Sequence, residues 1–340
     1  MEHLFMPSGG SQQEATASLK RLLEKIEHPF QPGNSVGVKL HWGELGNHSY
    51  LPPEYAREIV RWLKEIGVQP FIFDTTVLYS GGRRKGEDSL KTAAEHGYTR
   101  DYLGCEVVIA DGMDGADVTD IPCDLKHFET VQVASVIDKA KGFVIFSHFK
   151  GHLGTGFGGA IKNLSMGFAS RAQKQRMHAD ASPVLLKRRC TRCGVCVDVC
   201  PTGAADIKGD EFPTYDLEKC IGCAQCIGLC PEMALKIFFS GDMDVFQEKL
   251  VETAAAVWNR IRGRTVLINA LINISADCDC LPGEQEIIAP DIGFIIGNDP
   301  VGIDAESIRR MGEGPINAAH PHIPWQRQFT YASEIGWNPS

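Results

Sequence analysis

The chain has 340 residues and a formal net charge of −9. The acidic balance argues against a nucleic-acid binder, and no apolar run reaches the length of a membrane span. Such a length supports a full core and more than one domain. Residues 1–18 hold no charged stretch followed by an apolar one, so no secretory signal and a cytoplasmic location are expected.

In chain order, residues 35–41 read as a strand, followed by His41, Glu44, Asn47 and His48. Residues 53–66 read as an amphipathic helix, with Ile59, Leu63 and Ile66 at helical spacing. A short apolar strand over 69–73 ends at Asp74, and another over 107–110 ends at Asp111. Residues 134–140 suit a helix, and 142–149 form a strongly apolar strand near His148. Beyond a cysteine-rich stretch come a helix over 245–261, strands over 266–274 and 292–296, and a helix over 303–311. Alternating strands and helices predict an α/β body, with a mostly parallel sheet and helices on both faces. A small α+β module over 187–238 is expected to interrupt it, leaving body segments 1–186 and 239–340.

Polar residues just past strand ends line the ligand crevice of such sheets. The richest of these segments is Ser147-His148-Phe149-Lys150-Gly151-His152, followed by Gly154, Gly156, Gly158, Gly159 and Lys162. A strand, a glycine-rich loop and a helix from Ala160 suit an anion site built from backbone donors, with Lys150 and Lys162 adding charge. The loop lacks the Gly-Lys-Ser/Thr ending of a P-loop. His148, His152 and His178 are candidates for proton transfer or metal binding. The catalytic candidates are thus His41, Glu44, His148, Lys150, His152, Lys162 and His178, with Asp74 a further possible metal ligand. Arg171, Lys174 and Arg176 are expected to lie on a solvated helix face.

The cysteines carry the strongest signal. Cys190-x2-Cys193-x2-Cys196-x3-Cys200-Pro201 recurs 30 residues on as Cys220-x2-Cys223-x2-Cys226-x3-Cys230-Pro231. This is a bacterial-ferredoxin ligand run written twice, in which the fourth cysteine of each run ligates the other cluster. Two 4Fe–4S clusters are expected, one on Cys190, Cys193, Cys196 and Cys230, the other on Cys220, Cys223, Cys226 and Cys200. Zinc sites favour paired Cys-x-x-Cys spacings instead. Outside the run, Cys278-Asp279-Cys280 suits a metal site completed by His148 and His152, a redox pair, or a simple loop. Cys105 and Cys123 read as core or loop residues.

The chain resembles the domain-of-unknown-function 362 family of iron–sulfur-center proteins. The resemblance rests on Lys39-Leu40-His41-Trp42-Gly43-Glu44, the 147–152 segment, Gly158-Gly159-Ala160-Ile161-Lys162-Asn163-Leu164, Cys278-Asp279-Cys280, Asp291-Ile292-Gly293 and Asp299-Pro300-Val301. It implies a bacterial or archaeal protein with a ferredoxin insert and no established reaction. The His-rich strand, the Gly158-Gly159 pair and Lys162 are also similar to the active-site segment of nickel-pincer lactate racemases, which implies that the loop binds a ligand or cofactor. Two functions are expected. One is an oxidoreductase that passes electrons from the clusters to a small-molecule substrate or metal in the body. The alternative is an electron carrier or adaptor whose body docks a redox partner protein; the acidic module suits a basic partner.

Overall fold

A computed structural model describes residues 3–79, 81–178, 183–220, 225–236 and 242–337. The protein is α/β. Its centre is a seven-stranded sheet in the order β1-β15-β14-β7-β2-β3-β4. These strands are β1 (Leu4–Pro7), β2 (Ser35–Lys39), β3 (Gln69–Asp74), β4 (Glu106–Ile109), β7 (Gly142–His148), β14 (Thr265–Leu271) and β15 (Gly293–Gly297). All neighbours from β14 to β4 pair in parallel, and only β15 runs antiparallel to both of its neighbours.

Every residue of β7 and β14 is buried, as fits central strands covered on both faces. Their side chains divide between two cores with a period of two. Phe143 and Ile145 pack with Leu164, Leu250, Val257 and Leu267 on one face. Val144 and Phe146 pack with Leu19, Val36, Val38, Ile59 and Leu63 on the other. The helix Pro53–Ile66 covers the second face and ends at Gly67, a left-handed cap with φ of 88°. On the first face lies the long helix Met243–Ile261, where the Asp242 carboxylate accepts from Asp244 N and Val245 N.

The chain runs outward from β2 through β3 to β4, then returns to place β7 on the other side of β2. The order therefore reverses between β2 and β7. A doubly wound sheet opens its ligand crevice at such a point, outside the carboxyl ends of the strands.

Strands 35–41 and 266–274 were expected to run longer. β2 stops at Lys39 because the chain turns at Gly43, where φ is 83°, and β14 stops at Leu271 ahead of the left-handed Asn273. Four elements carry too little periodic signal to be read from sequence. They are the edge strand β1, the mostly polar helix Gln12–Leu23, the hairpin β5–β6 (Val118–Pro122, Thr130–Ala134) and the hairpin β8–β9 (Lys150–His152, Gly156–Gly158).

Residues 184–236 are built differently. Pairs β10–β13 (Val184–Leu185, Leu235–Lys236) and β11–β12 (Ala205–Asp206, Thr214–Tyr215) frame the short helices Val195–Asp198 and Gln225–Gly228. Cys196, Ile227, Cys230, Ala234 and Leu235 form a small core there, which also takes in Ala172 of the body. Among the described residues no helix is long and apolar enough to cross a membrane.

Candidate functional site at the strand-order reversal

Lys39 closes β2 and is only 1% exposed. Its ammonium meets Asp74 Oδ1 at 2.9 Å and donates to Leu40 O and Asn163 Oδ1, each at 3.0 Å. A side chain on Gly167 would collide with Lys39 Cε at 2.5 Å, so this helix position must be glycine for the lysine to pass. Arg83 Nη1 donates to the other Asp74 oxygen at 2.8 Å. Arg83 Nε stands 3.5 Å from Glu44 Oε2, and neither atom has a hydrogen-bond partner although both are buried. Glu44 Oε1 instead accepts from Leu45 N at 3.0 Å and Gly82 N at 2.5 Å.

His148 ends β7 across the reversal. Its Nδ1 meets Asp279 Oδ2 at 2.8 Å and its Nε2 meets Ile272 O at 2.8 Å, so both ring nitrogens are engaged. Lys150 Nζ shares the same Asp279 oxygen at 2.8 Å, and Ser49 Oγ donates to Asp279 Oδ1 at 3.2 Å. Burial raises the Asp279 pKa, but His148 and Lys150 outweigh it and hold the carboxyl well below its ordinary range. Lys162 Nζ donates to Cys278 Sγ at 3.4 Å. A hydrogen bond from the Cys280 thiol holds Cys278 well below the usual thiol range despite burial, helped by Lys162 and Lys150; Cys280 is pushed up in turn.

The histidines divide. His41 lies among these groups: burial first, then Arg83, holds its imidazole well below the usual value. Its Nδ1 accepts from Gly43 N at 2.9 Å, which leaves the proton of the neutral ring on Nε2. His152 is likewise held low by burial and by Lys162, and its Nδ1 accepts from Gly154 N at 3.1 Å. His178 stacks on Phe246 at 4.6 Å, and burial lowers it to about 4.

Two expectations need correction. The helix Ala160–Phe168 offers no backbone anion site, because the Asp304 carboxylate already caps it. That carboxylate accepts from Ala160 N at 2.7 Å and Ile161 N at 2.9 Å, and it reaches them because Gly159 has no side chain: a Cβ there would lie 2.2 Å from Asp304 Oδ1. Nor is the helix Arg171–His178 solvated at Arg171 and Lys174, which are 6% and 7% exposed. Lys174 turns inward to Thr75 Oγ1 at 2.7 Å and to Thr76 O, and burial lowers it to about 8.

Cys190, Cys193, Cys196 and Cys230 line one cavity, with Val195, Ile207 and Tyr215. The Tyr215 hydroxyl is buried there beside the Cys196 thiol. Arg192 N points to Cys190 Sγ at 3.4 Å and Ala234 N to Cys230 Sγ at 3.3 Å. Four thiols around one space, backbone donors to sulfur and an apolar wall fit the chemistry of a cubane cluster. Among the described residues no group of three or more His, Cys, Asp or Glu is disposed to hold a single metal ion. Thiolates around a cubane stand farther apart than the ligands of one ion. Of the second set, Cys200, Cys220 and Cys226 are described and Cys223 lies outside the described residues.

A pair of arginines runs between the two regions. Arg84 donates to Leu78 O and to Cys230 O, each at 2.8 Å, while its neighbour Arg83 holds Asp74 and the Tyr79 hydroxyl, the latter at 2.8 Å. A large concavity lies elsewhere, near the amino ends of β7 and β14, where the lining Asp138 and Arg260 pair with each other at 2.7 Å.

Sequence reading assigned no role to Arg83, Arg84, Tyr79, Asp279 and Asp304. Arg83, Arg84 and Tyr79 sit in a loop without periodicity, and Asp279 is hidden between two cysteines. Asp304 lies in a helix, where a buried carboxylate has no sequence mark of its own.

Among curated proteins none matches the chain. A protein from Thermotoga maritima solved by a structural-genomics consortium is similar at 11% identity, with a TM-score of 0.47, over 97% of this chain and 61% of that one. The lactate racemase apoprotein from Thermoanaerobacterium thermosaccharolyticum is similar at 14% identity, with a TM-score of 0.39, over 76% of this chain and 49% of that one. The chain thus spans less than two thirds of the length of either protein. The family model described as "Domain of unknown function (DUF362)" matches residues 36–309, and the chain belongs to that family.

Proposed function

We propose that the protein is an iron–sulfur oxidoreductase, with two 4Fe–4S clusters in the 187–238 region and a substrate site in the crevice between β2 and β7. The clusters, when bound, supply one-electron transfer. Cys190, Cys193, Cys196 and Cys230 hold one, and Cys220, Cys223, Cys226 and Cys200 hold the other. The observation that carries the reading is the Arg83–Arg84 pair. It ties a cluster cysteine, Cys230, to the charged groups at the strand-order reversal through hydrogen bonds of 2.8 Å.

In the crevice each side chain has a definable task. His41 and His152, neutral with the proton on Nε2, donate hydrogen bonds to the substrate. Asp279, fixed by His148, Lys150 and Ser49, holds the Cys278–Cys280 turn in place. Lys39, Asp74, Arg83 and Glu44 form a buried charged floor held by ion pairs.

The test is reoxidation of the dithionite-reduced protein, followed at the cluster absorption band, by a panel of small anionic oxidants. The expected result is a compound whose reoxidation rate falls in His41→Phe and Lys150→Met, while reduction by dithionite is unchanged. Reoxidation only by a partner protein, indifferent to both substitutions, would make the chain an electron carrier instead.

A further inference from the structure

Cys278 and Cys280 flank Asp279 in one tight turn. The turn that carries them is clamped from both sides. The Asp279 side chain is held by His148 and Lys150 at 2.8 Å, and the Asp279 carbonyl accepts from Glu44 N at 2.8 Å. Leu281 N closes the turn on Cys278 O at 2.9 Å. Within it the backbone N–H of Cys280 reaches Cys278 Sγ at 3.4 Å, so the turn folds the second cysteine back onto the first. Lys162 Nζ lies 3.4 Å from the same sulfur. Cys278 is 2% exposed and Cys280 is partly open. Tyr79 lies within electrostatic reach of Cys280, and its hydroxyl takes a hydrogen bond from Arg83, beside the Arg84 that holds Cys230 O.

We propose that Cys278 and Cys280 form a redox-active dithiol–disulfide couple, a two-electron store between the one-electron clusters and the crevice. The proposal rests on the iron–sulfur reading above. In the reducing direction the Sγ–Sγ bond takes up two electrons, which two reduced clusters would supply one each, and breaks. Cys278 leaves as a thiolate beside the Lys162 ammonium, and Cys280 takes one proton from solvent on its open side. Arg84 stands at the cluster cysteine Cys230, and Tyr79 lies within electrostatic reach of Cys280. A clamped turn keeps the two sulfurs adjacent in both redox states, which favours exchange without rearrangement of the fold.

The experiment uses the full chain purified without oxygen. Samples are poised in mixtures of reduced and oxidised dithiothreitol, quenched in acid, alkylated with iodoacetamide and digested, and iron is counted on the same sample. The expected result is one two-electron transition of the peptide containing Cys278 and Cys280, from doubly alkylated to disulfide. Cys105 and Cys123 stay alkylated throughout, and Cys280→Ser abolishes the transition. In the iron-loaded disulfide form, photochemical one-electron reduction should restore two alkylatable thiols as the clusters bleach.

A peptide that stays doubly alkylated at every potential in iron-loaded protein overturns the couple and leaves the cluster reading intact. A disulfide that persists while the clusters bleach overturns the store. A reversible transition in protein that binds no iron overturns the store and the cluster reading together, and leaves a dithiol served by another reductant.

Discussion

The crevice and the cysteine module are stabilised by opposite means. At the crevice, Lys39, Asp74, Arg83, His148, Lys150 and Asp279 are each under a tenth exposed, and each finds its counter-charge within the chain. Around 184–236 the strands are two residues long, the core is small, and Cys193 is exposed. A buried ion-pair network is costly to break but complete in itself. A segment with few apolar contacts and many thiols depends on what those thiols bind. On the proposed reading the contrast teaches that the body is self-supporting, whereas the cysteine-rich region would be finished by what its thiols bind.

The sharpest way to break that contrast is Asp279→Ala. It would strand His148 and Lys150 as uncompensated buried groups. The expected loss is about 3–5 kcal/mol of stability, read by chemical denaturation of the body. A loss under about 1 kcal/mol would mean that water already screens the crevice.

Asp304→Ala should cost less, about 2–3 kcal/mol, because it leaves Ala160 N, Ile161 N and the Asn269 amide without their shared acceptor. Asp304→Asn should recover part of the loss, since one amide oxygen still accepts.

Acid should act on the body through His178. Its folded pKa of about 4 lies below the ordinary 6.5 of the free imidazole, so the unfolded chain binds the extra proton first. The stability from its neutral ring is present above 6.5 and is lost as the pH falls toward 4. Thermal melts between those limits should show this slope, and His178→Phe should flatten it while keeping the stack on Phe246.

The smallest effect is expected for Arg84→Met. The melting temperature of the body should hardly move, whereas hydrogen exchange should rise over 225–236, where Cys230 O loses its hydrogen bond from the Arg84 guanidinium. Unchanged exchange there would show that the module's docking rests on other contacts, such as the packing of the Arg171–His178 and Gln225–Gly228 helices.

The α/β body was legible because its central strands are apolar runs and its helix Pro53–Ile66 begins with proline and ends at glycine. Strand ends also located the crevice, since His41, Asp74 and His148 all fall there. Pairing was not legible. Nothing local in Lys150 or Lys162 says that one meets Asp279 and the other Cys278, more than a hundred residues away. The glycine-rich loop misled for the same reason, because the carboxylate that fills its helix end comes from Asp304. Charge on the Arg171–His178 helix suggested solvent, yet tertiary packing turns Lys174 inward to Thr75.

The central claim is that this chain is an iron–sulfur redox protein. Iron and acid-labile sulfide, counted together on protein purified without oxygen, test it most directly. Two cubane clusters predict about eight iron and eight sulfide per chain, and both counts should fall when Cys196 and Cys226 are replaced by serine. Zinc in place of iron, or cysteines that all titrate as free thiols in freshly isolated protein, would contradict the account.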